Sequence, residues 1–317
     1  MNPSDVSPSL QAANNSPASA RIAVVLVTYN PDSSLEQNIR ALLRQVDKLI
    51  VVDNGSEPAI RNAIETLASK WNFEVIWNGK NLGLAKALNI GVGRLLSVGD
   101  YAWIATFDQD SLVDSGFRDA VLGALAQCPF RDKVAAIGPQ LLMRSDSAGA
   151  NLDARNATAS FAERKVVLQS GCMIRAAVLR DVCMFDESFF IDYVDFEFCL
   201  HVRKRGFRIL EATNTLVTHR VGAPSLHRFL NITCMVFNHS PVRRYYAARN
   251  RLRVYWRYFL SDPHWICHDA WSWFKEVIKL LLFEQDRRQK LAYITRGLWD
   301  AVLGRSGAYT KGIANQD

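Results

Sequence analysis

The chemistry this chain can offer lies in a few acidic clusters, one histidine and an arginine-rich block. Asp108-Gln109-Asp110 follows an apolar run. Two carboxylates two residues apart at a strand exit can hold a hard divalent cation that a diphosphate also ligates, and they can equally form a turn. Asp53, in VVDNGS, can accept hydrogen bonds from a base N–H or a sugar hydroxyl, or close an Asx turn. Asn81 and Gly83, with Asn89, stand near a helix start in NLGLAKALNIGV. Backbone N–H groups there favour phosphate, and the same residues suit a cap with packing glycines. Asp192, Asp195 and Glu197 are placed at the front of a helix, the first two sharing a face at i,i+3. A carboxylate kept ionised by a helix N-terminus can take a proton from a hydroxyl nucleophile, and Asp192 can instead serve as the N-cap. His219 in LVTHRVG offers an imidazole to a metal or a ring to the core. Arg243, Arg244 and Arg249, in RRYYAARN, lie loosely along one helix side, either as a phosphate clamp or as a solvated basic face.

These residues need a scaffold, and its pattern is legible. Short apolar runs at RIAVVLV, KLIVVD, FEVIW, YAWIATF and VAAIG read as strands buried on both faces. Helical patterns near 34–46, 57–71, 83–97 and 115–127 separate them, which predicts an α/β fold with a mostly parallel sheet and right-handed crossovers. Ligands on such sheets bind beyond the carboxyl ends of the strands. Polar residues do follow the apolar runs: Thr28, Tyr29 and Asn30 after the first, Asp53 after the second, Asp108 and Asp110 after the fourth. Residues 141–166 are expected to form a polar loop. LQSGCMIR is expected to be a strand, and DESFFIDYVDFEFCLHVRKRG a loop entering a helix that Gly206 closes. FRILEA and TLVTH read as two short strands, and an amphipathic helical extension begins at Pro241. The expected organisation is a leader over 1–20, a catalytic domain over 21–240 with halves at 21–140 and 141–240, and the extension over 241–317.

Composition narrows the classes. The chain has 317 residues, 49% of them hydrophobic and 22% charged, which suits a globular protein and excludes a disordered chain or a disulfide miniprotein. Its longest apolar run, Ile22 to Val27, is six residues, against the about 20 that a bilayer-spanning helix needs. Six cysteines without a CxxC pair fit a reducing cytoplasm. Net charge is +7, and placement says more: residues 240–317 hold 14 basic and 7 acidic side chains, while the rest balance at 24 each. Five of the eight Trp also fall in that tail, so it suits an anionic surface, either a phosphate ligand or lipid headgroups at the inner face of a plasma membrane. No helix-turn-helix or zinc spacing supports a nucleic-acid partner. No GxGxxG follows the first strand and no GxxxxGK[ST] occurs, which argues against dinucleotide-binding and P-loop chemistry.

Taken together in order, VTYNP, VVDNGS, NLGLAKALNIG, FDQDS, QSGCMI, FDESFFIDYVDFEFCLHVRKRGF, VTHRVG and YYAARN resemble the inverting glycosyltransferases of family 2 over roughly residues 20–305. Within that family the chain is most similar to bacterial dTDP-L-rhamnose-dependent rhamnosyltransferases. Those that add a second rhamnose to a mono-rhamnolipid come first, and O-antigen or other cell-surface polysaccharide enzymes second. The resemblance implies a GT-A fold. It implies that Thr28, Tyr29, Asn30 and Asp53 hold the nucleoside; Asn81 and Gly83, from their helix-start chemistry, and Arg249, from its guanidinium, are also expected on the nucleotide sugar. Asp108 and Asp110 would address the ribose and the metal-bound diphosphate, and Asp110 with His219 would hold Mg²⁺ or Mn²⁺. Asp195 matches the catalytic base. Where many members have Glu-Asp this chain has Val194-Asp195, with Asp192 as an extra acid that competes for the role. The expected acceptor is an amphiphilic glycolipid, and the expected location is cytoplasmic, peripheral on the membrane. A metal-dependent nucleotidyltransferase is the rival enzyme class.

Overall fold

A computed structural model describes residues 20–143, 160–219, 225–229 and 232–309. Residues 1–19 of the expected leader and most of the expected polar loop at 141–166 lie outside the described residues, as do the residues after His219 in VTHRVG; Ala20, the last expected leader residue, is buried in the core. The described chain forms two compact units. One comprises the residues up to Asp186 together with Asp195–Arg220, and the other Glu187–Val194 together with the chain from Val221 onward.

The first unit is built on one sheet. Its strands are β1 (Ile22–Thr28), β2 (Lys48–Asp53), β3 (Glu74–Trp77), β4 (Trp103–Asp108), β5 (Ser111–Val113), β6 (Val134–Met143), β7 (Phe161–Arg164), β8 (Cys172–Arg175) and β9 (Arg208–His219). They run in the order β3-β2-β1-β4-β8-β6-β9-β5, with β7 also on β9. β3, β2, β1 and β4 are parallel, as are β6 and β9, whereas β8, β5 and β7 run antiparallel to their neighbours. β1 and β2 are almost wholly buried, which is why their sequences are unbroken Val, Ile and Leu rather than alternating. The helices are α1 (Leu35–Leu43), α2 (Pro58–Trp71), α3 (Leu84–Val98), α4 (Phe117–Gln127), α5 (Ala176–Asp181) and α6 (Val194–Lys204).

Alternation along β1 divides the core. Ile22, Val24 and Leu26 join Leu35, Ile39 and Leu42 of α1 and Phe117, Val121 and Leu125 of α4 in one cluster. Val25 points the other way and meets α3. The crossing with α3 is close: a Cβ on Gly91 would stand 2.5 Å from Val25 Cγ1 and 3.0 Å from Val52 Cγ2, so glycine there lets the helix lie directly on the sheet.

Two expectations are corrected. FRILEA and TLVTH form the single strand β9, because both halves pair with β6; the register shift between Pro139 and Gln140 takes up the polar residues between them. The expected loop at 141–166 also contains the end of β6 and all of β7, whose Arg164 pairs with Glu211 across β9.

The second unit holds the hairpin β10 (Ser225–Phe229) and β11 (Ile232–Val236), followed by α7 (Pro241–Tyr258), α8 (Pro263–Phe283) and α9 (Arg287–Val302). Sequence signals start two of these helices. Ser240 and Asp262 accept from the N–H of Arg243 and Trp265, and a proline follows each cap. Among the described residues no helix is long and apolar enough to cross a membrane.

Candidate active site

The loops after β1, β2 and β4 are cross-tied at the carboxyl edge of the sheet. Asp53 is buried, and its carboxylate accepts at Oδ1 from the N–H of Gly55 (3.2 Å) and Ser56 (3.0 Å), and at Oδ2 from Thr28 Oγ1 (3.2 Å) and Ser56 Oγ. These are the bonds of the Asx-turn alternative, so Asp53 organises its own loop. Gly55 has φ +96°, and a Cβ there would stand 2.5 Å from the backbone of Lys80. The turn therefore abuts the loop before α3, and Asn54 links the two: its Nδ2 donates to Asn81 Oδ1 (3.0 Å), while its Oδ1 accepts from Leu82 N (3.0 Å). Asn81 Oδ1 also accepts from Gly83 N at 2.9 Å. Asn30, at φ +47°, donates its N–H to Ser56 Oγ and accepts from Glu57 N. Tyr29 and Gln109 exchange two bonds, N–H to Oε1 at 2.7 Å and Nε2 to O at 3.2 Å, and the Tyr29 ring is left exposed. Thr28, Tyr29, Asn30, Asp53, Asn81, Gly83 and Asp108 thus all lie in this one edge network or at its rim.

The acidic part of the site depends on the segment 169–171. Thr106 Oγ1 donates to Gln169 O (2.8 Å) and Gly171 N to Thr106 O (2.8 Å), which fastens the segment to β4. Asp108 N donates to Ser170 Oγ at 3.1 Å, and Ser170 Oγ in turn donates to Ser111 Oγ at 2.6 Å. On the other side Gln169 N donates to Asp195 Oδ2 at 3.2 Å, and Phe196 N donates to Oδ1 at 2.9 Å. Burial pushes the Asp195 carboxyl up to about 6 despite these N–H donors, and the neighbouring Asp108 charge adds to the rise. Asp110 precedes β5, whose Ser111 is directly opposite His219 on β9. Residues 108, 110, 195 and 219 accordingly belong to one edge of one unit.

The remaining candidates are in the second unit. Asp192 does not share a helix face with Asp195: at φ +61° it precedes α6, in a loop where Phe190 (φ +55°) and Tyr193 (φ +65°) are also left-handed. It is not an N-cap either, since its Oδ1 takes Arg243 Nε at 3.2 Å; burial raises its carboxyl and Arg243 opposes the rise. The loop is held by α7. Asn250 Nδ2 lies 2.8, 2.8 and 2.9 Å from the carbonyls of Phe189, Ile191 and Asp192, and Arg253 binds Ser188. The arginine block is correspondingly not a solvated face. Arg244 is buried against Glu284, and Arg249 is buried with its guanidinium near the Tyr245 and Tyr246 rings and Nη1 on Gly307 O (2.8 Å). Only Arg243 among the three is substantially exposed. The contributions of Gln169, Ser170 and Asn250 escape a reading by residue type. The polar Gln-Ser pair inside an otherwise apolar strand run was the available signal.

The model for the family described as glycosyl transferase family 2 matches residues 23–130. The dTDP-rhamnosyl transferase RfbF of Shigella flexneri is 30% identical over 247 residues, which covers 73% of this chain and 78% of that protein. The chain belongs to glycosyltransferase family 2. Among solved structures, this glycosyltransferase is similar to TarS 1–349 of S. aureus in complex with UDP-GlcNAc, with a TM-score of 0.58 at 15% identity, over 88% of this chain and 81% of that one. It is also similar to GalNAc-T7 with UDP, GalNAc and Mn²⁺, with a TM-score of 0.57 at 12% identity. That match covers 78% of this chain, which spans only about half (49%) of GalNAc-T7. Those likenesses concern the fold, a GT-A fold with a mostly parallel central sheet, flanking helices and, in this chain, additional C-terminal helices.

Proposed function

We propose that this glycosyltransferase moves L-rhamnose from dTDP-L-rhamnose, with inversion, to a hydroxyl of an amphiphilic glycolipid, a mono-rhamnolipid in the first instance. The observation that carries the reading is Asp195: a carboxylate held by two backbone N–H groups, buried enough to raise its pKa to about 6, and next to Asp108 at the strand ends. A base of that pKa is ionised at neutral pH yet more basic than an ordinary carboxylate, which suits removal of a hydroxyl proton as the anomeric bond forms. The donor is taken from the name of RfbF, the relative that covers most of the chain. Tyr29, exposed beside the Asp53 turn, offers a ring to the base.

A divalent cation, Mg²⁺ or Mn²⁺, fits the donor set. Asp108 and Asp110 provide hard oxygens at, and two residues beyond, the end of β4. Two carboxylates suit an ion that keeps waters and takes its other oxygens from a diphosphate. His219, whose backbone is paired with Ser111, is kept as a further ligand from the resemblance. When bound, the ion would neutralise the departing dTDP. Mn²⁺ in the GalNAc-T7 structure is consistent with this use. The test is incubation with dTDP-rhamnose and mono-rhamnolipid. dTDP and a di-rhamnolipid are expected, with loss of product in EDTA and recovery with Mg²⁺ or Mn²⁺. Product only with a lipid-linked polysaccharide precursor would move the acceptor to the O-antigen reading, and release of pyrophosphate from a nucleoside triphosphate would make the enzyme a nucleotidyltransferase.

A cytoplasmic location on the inner membrane face completes the reading. On α8, Trp271, Phe274, Ile278, Leu281 and Leu282 are exposed along one side with Lys275, whereas of the acids of that helix Asp269 is largely buried against Arg251 and the half-exposed Glu276 pairs with Arg244. An apolar face edged by cations, with the carboxylates of its helix paired, suits an anionic lipid interface. Co-flotation with vesicles containing phosphatidylglycerol is expected, reduced by Trp271→Glu; absence of co-flotation at physiological salt would end this part of the reading.

A further inference from the structure

Gln169 has an unexplained side chain. It is 6% exposed, and its amide nitrogen Nε2 is buried with no hydrogen-bond partner among the described residues. Its backbone, by contrast, is fully committed: N–H donates to Asp195 Oδ2, and O accepts from Thr106 Oγ1 and from Cys172 N at 3.0 Å. The backbone of Gln169 is therefore fixed at the support of Asp195, which keeps its side chain rooted there. A buried donor left unsatisfied is costly, and its retention at a site calls for a group that satisfies it in the working complex.

The place of Gln169 says which group. Ser170 binds the backbone of Asp108, on the side where the diphosphate is read, while Gln169 binds Asp195, the base. In an inverting displacement the leaving oxygen and the attacking hydroxyl stand on opposite faces of the anomeric carbon, so the transferred sugar must lie between diphosphate and base. The segment 169–171 connects those two groups. We infer that Gln169 is a specificity-determining residue whose Nε2 donates a hydrogen bond to one hydroxyl of the transferred deoxyhexose. This rests on the donor reading above and adds the contact that distinguishes a nucleotide sugar from its nucleotide.

The experiment compares binding of dTDP and dTDP-rhamnose, with Mg²⁺, to wild type and Gln169→Met, a variant of similar volume. The wild type is expected to prefer the sugar nucleotide, and the variant to lose about 10- to 100-fold in affinity for it while dTDP binding is unchanged. A merely structural role would weaken both ligands together. The three mono-deoxy analogues of the donor sugar give a check that does not require the variant to fold as well as the parent. One analogue should bind the wild type about 10- to 100-fold more weakly than dTDP-rhamnose, and that same analogue should match dTDP-rhamnose in Gln169→Met. If the wild type binds all three like the parent sugar, the hydroxyl contact does not exist. A wild type that prefers the sugar nucleotide, with a variant that prefers it equally, overturns the assignment of Gln169 alone. A wild type that binds dTDP and dTDP-rhamnose equally overturns this assignment together with the donor reading.

Discussion

Asp195→Asn is expected to lower kcat by about 10²- to 10⁴-fold, the usual contribution of a positioned general base, while the affinity for dTDP changes little. The carboxamide keeps the size of the side chain but cannot accept the acceptor's proton. The wild type carries a second signature. Because burial has raised this carboxyl to about 6, kcat/KM should fall tenfold per pH unit below about 6, rather than below the 3.8 of an ordinary aspartate. The sign for folding runs opposite to that of an ion-paired carboxylate. The folded protein holds the proton more tightly than the unfolded one, so the cost of burying the charge is fully present above about 6 and is relieved as pH falls toward 3.8. A pH–rate profile with its acid limb near 4, or an Asp195→Asn enzyme with normal turnover, would remove Asp195 from the role and leave Asp192 as the candidate.

Glu284→Ala should have the largest effect on stability, a loss of about 3–5 kcal/mol in the second unit, read from urea unfolding followed by tryptophan fluorescence. Glu284 is 1% exposed and is shared by two cations, Arg244 and Lys290, the latter at 2.8 Å, whose side chains are 10% and 7% exposed. Removing the acid leaves two buried positive charges with only the half-exposed Glu276, 3.6 Å from Arg244, to oppose them, which is far worse than losing a hydrogen bond. The same reasoning predicts recovery when all three are replaced by apolar residues of similar volume, for instance Glu284→Leu with Arg244→Met and Lys290→Met, since a buried ion cluster and a packed apolar cluster differ little in net stability. A Glu284→Ala protein that unfolds at the wild-type urea concentration would show that water reaches the cluster.

The strands β1, β2, β3 and β4, the helices between them and the edge that collects Thr28, Asp53 and Asp108 were legible because each depends on local pattern. A short unbroken apolar run bounded by turn residues reads as a strand covered on both faces, and the polar residues after it mark its end. The start of α7 at Pro241 was legible for the same reason. The left-handed loop before α6 was not. Asp192 reads as part of a helix front in any one-dimensional pattern, and it leaves the helix because Asn250, 58 residues later, holds the carbonyl of Asp192. Nor could composition tell a solvated basic face from the buried arginines of α7, since their partners Glu284 and Gly307 come from distant turns of the chain.

Chain order and side-chain type alone were enough for the class of scaffold and for the acids it would present, because hydrophobic periodicity and strand-end chemistry are short-range. Which carboxylate becomes basic, and which polar group is left without a partner among the described residues, follows from packing: Asp195 is raised by the loss of water and by Asp108, and the Gln169 amide nitrogen is buried where no acceptor of the described residues meets it. Desolvation and charge proximity are properties of neighbours in space, and only the folded chain supplies those neighbours.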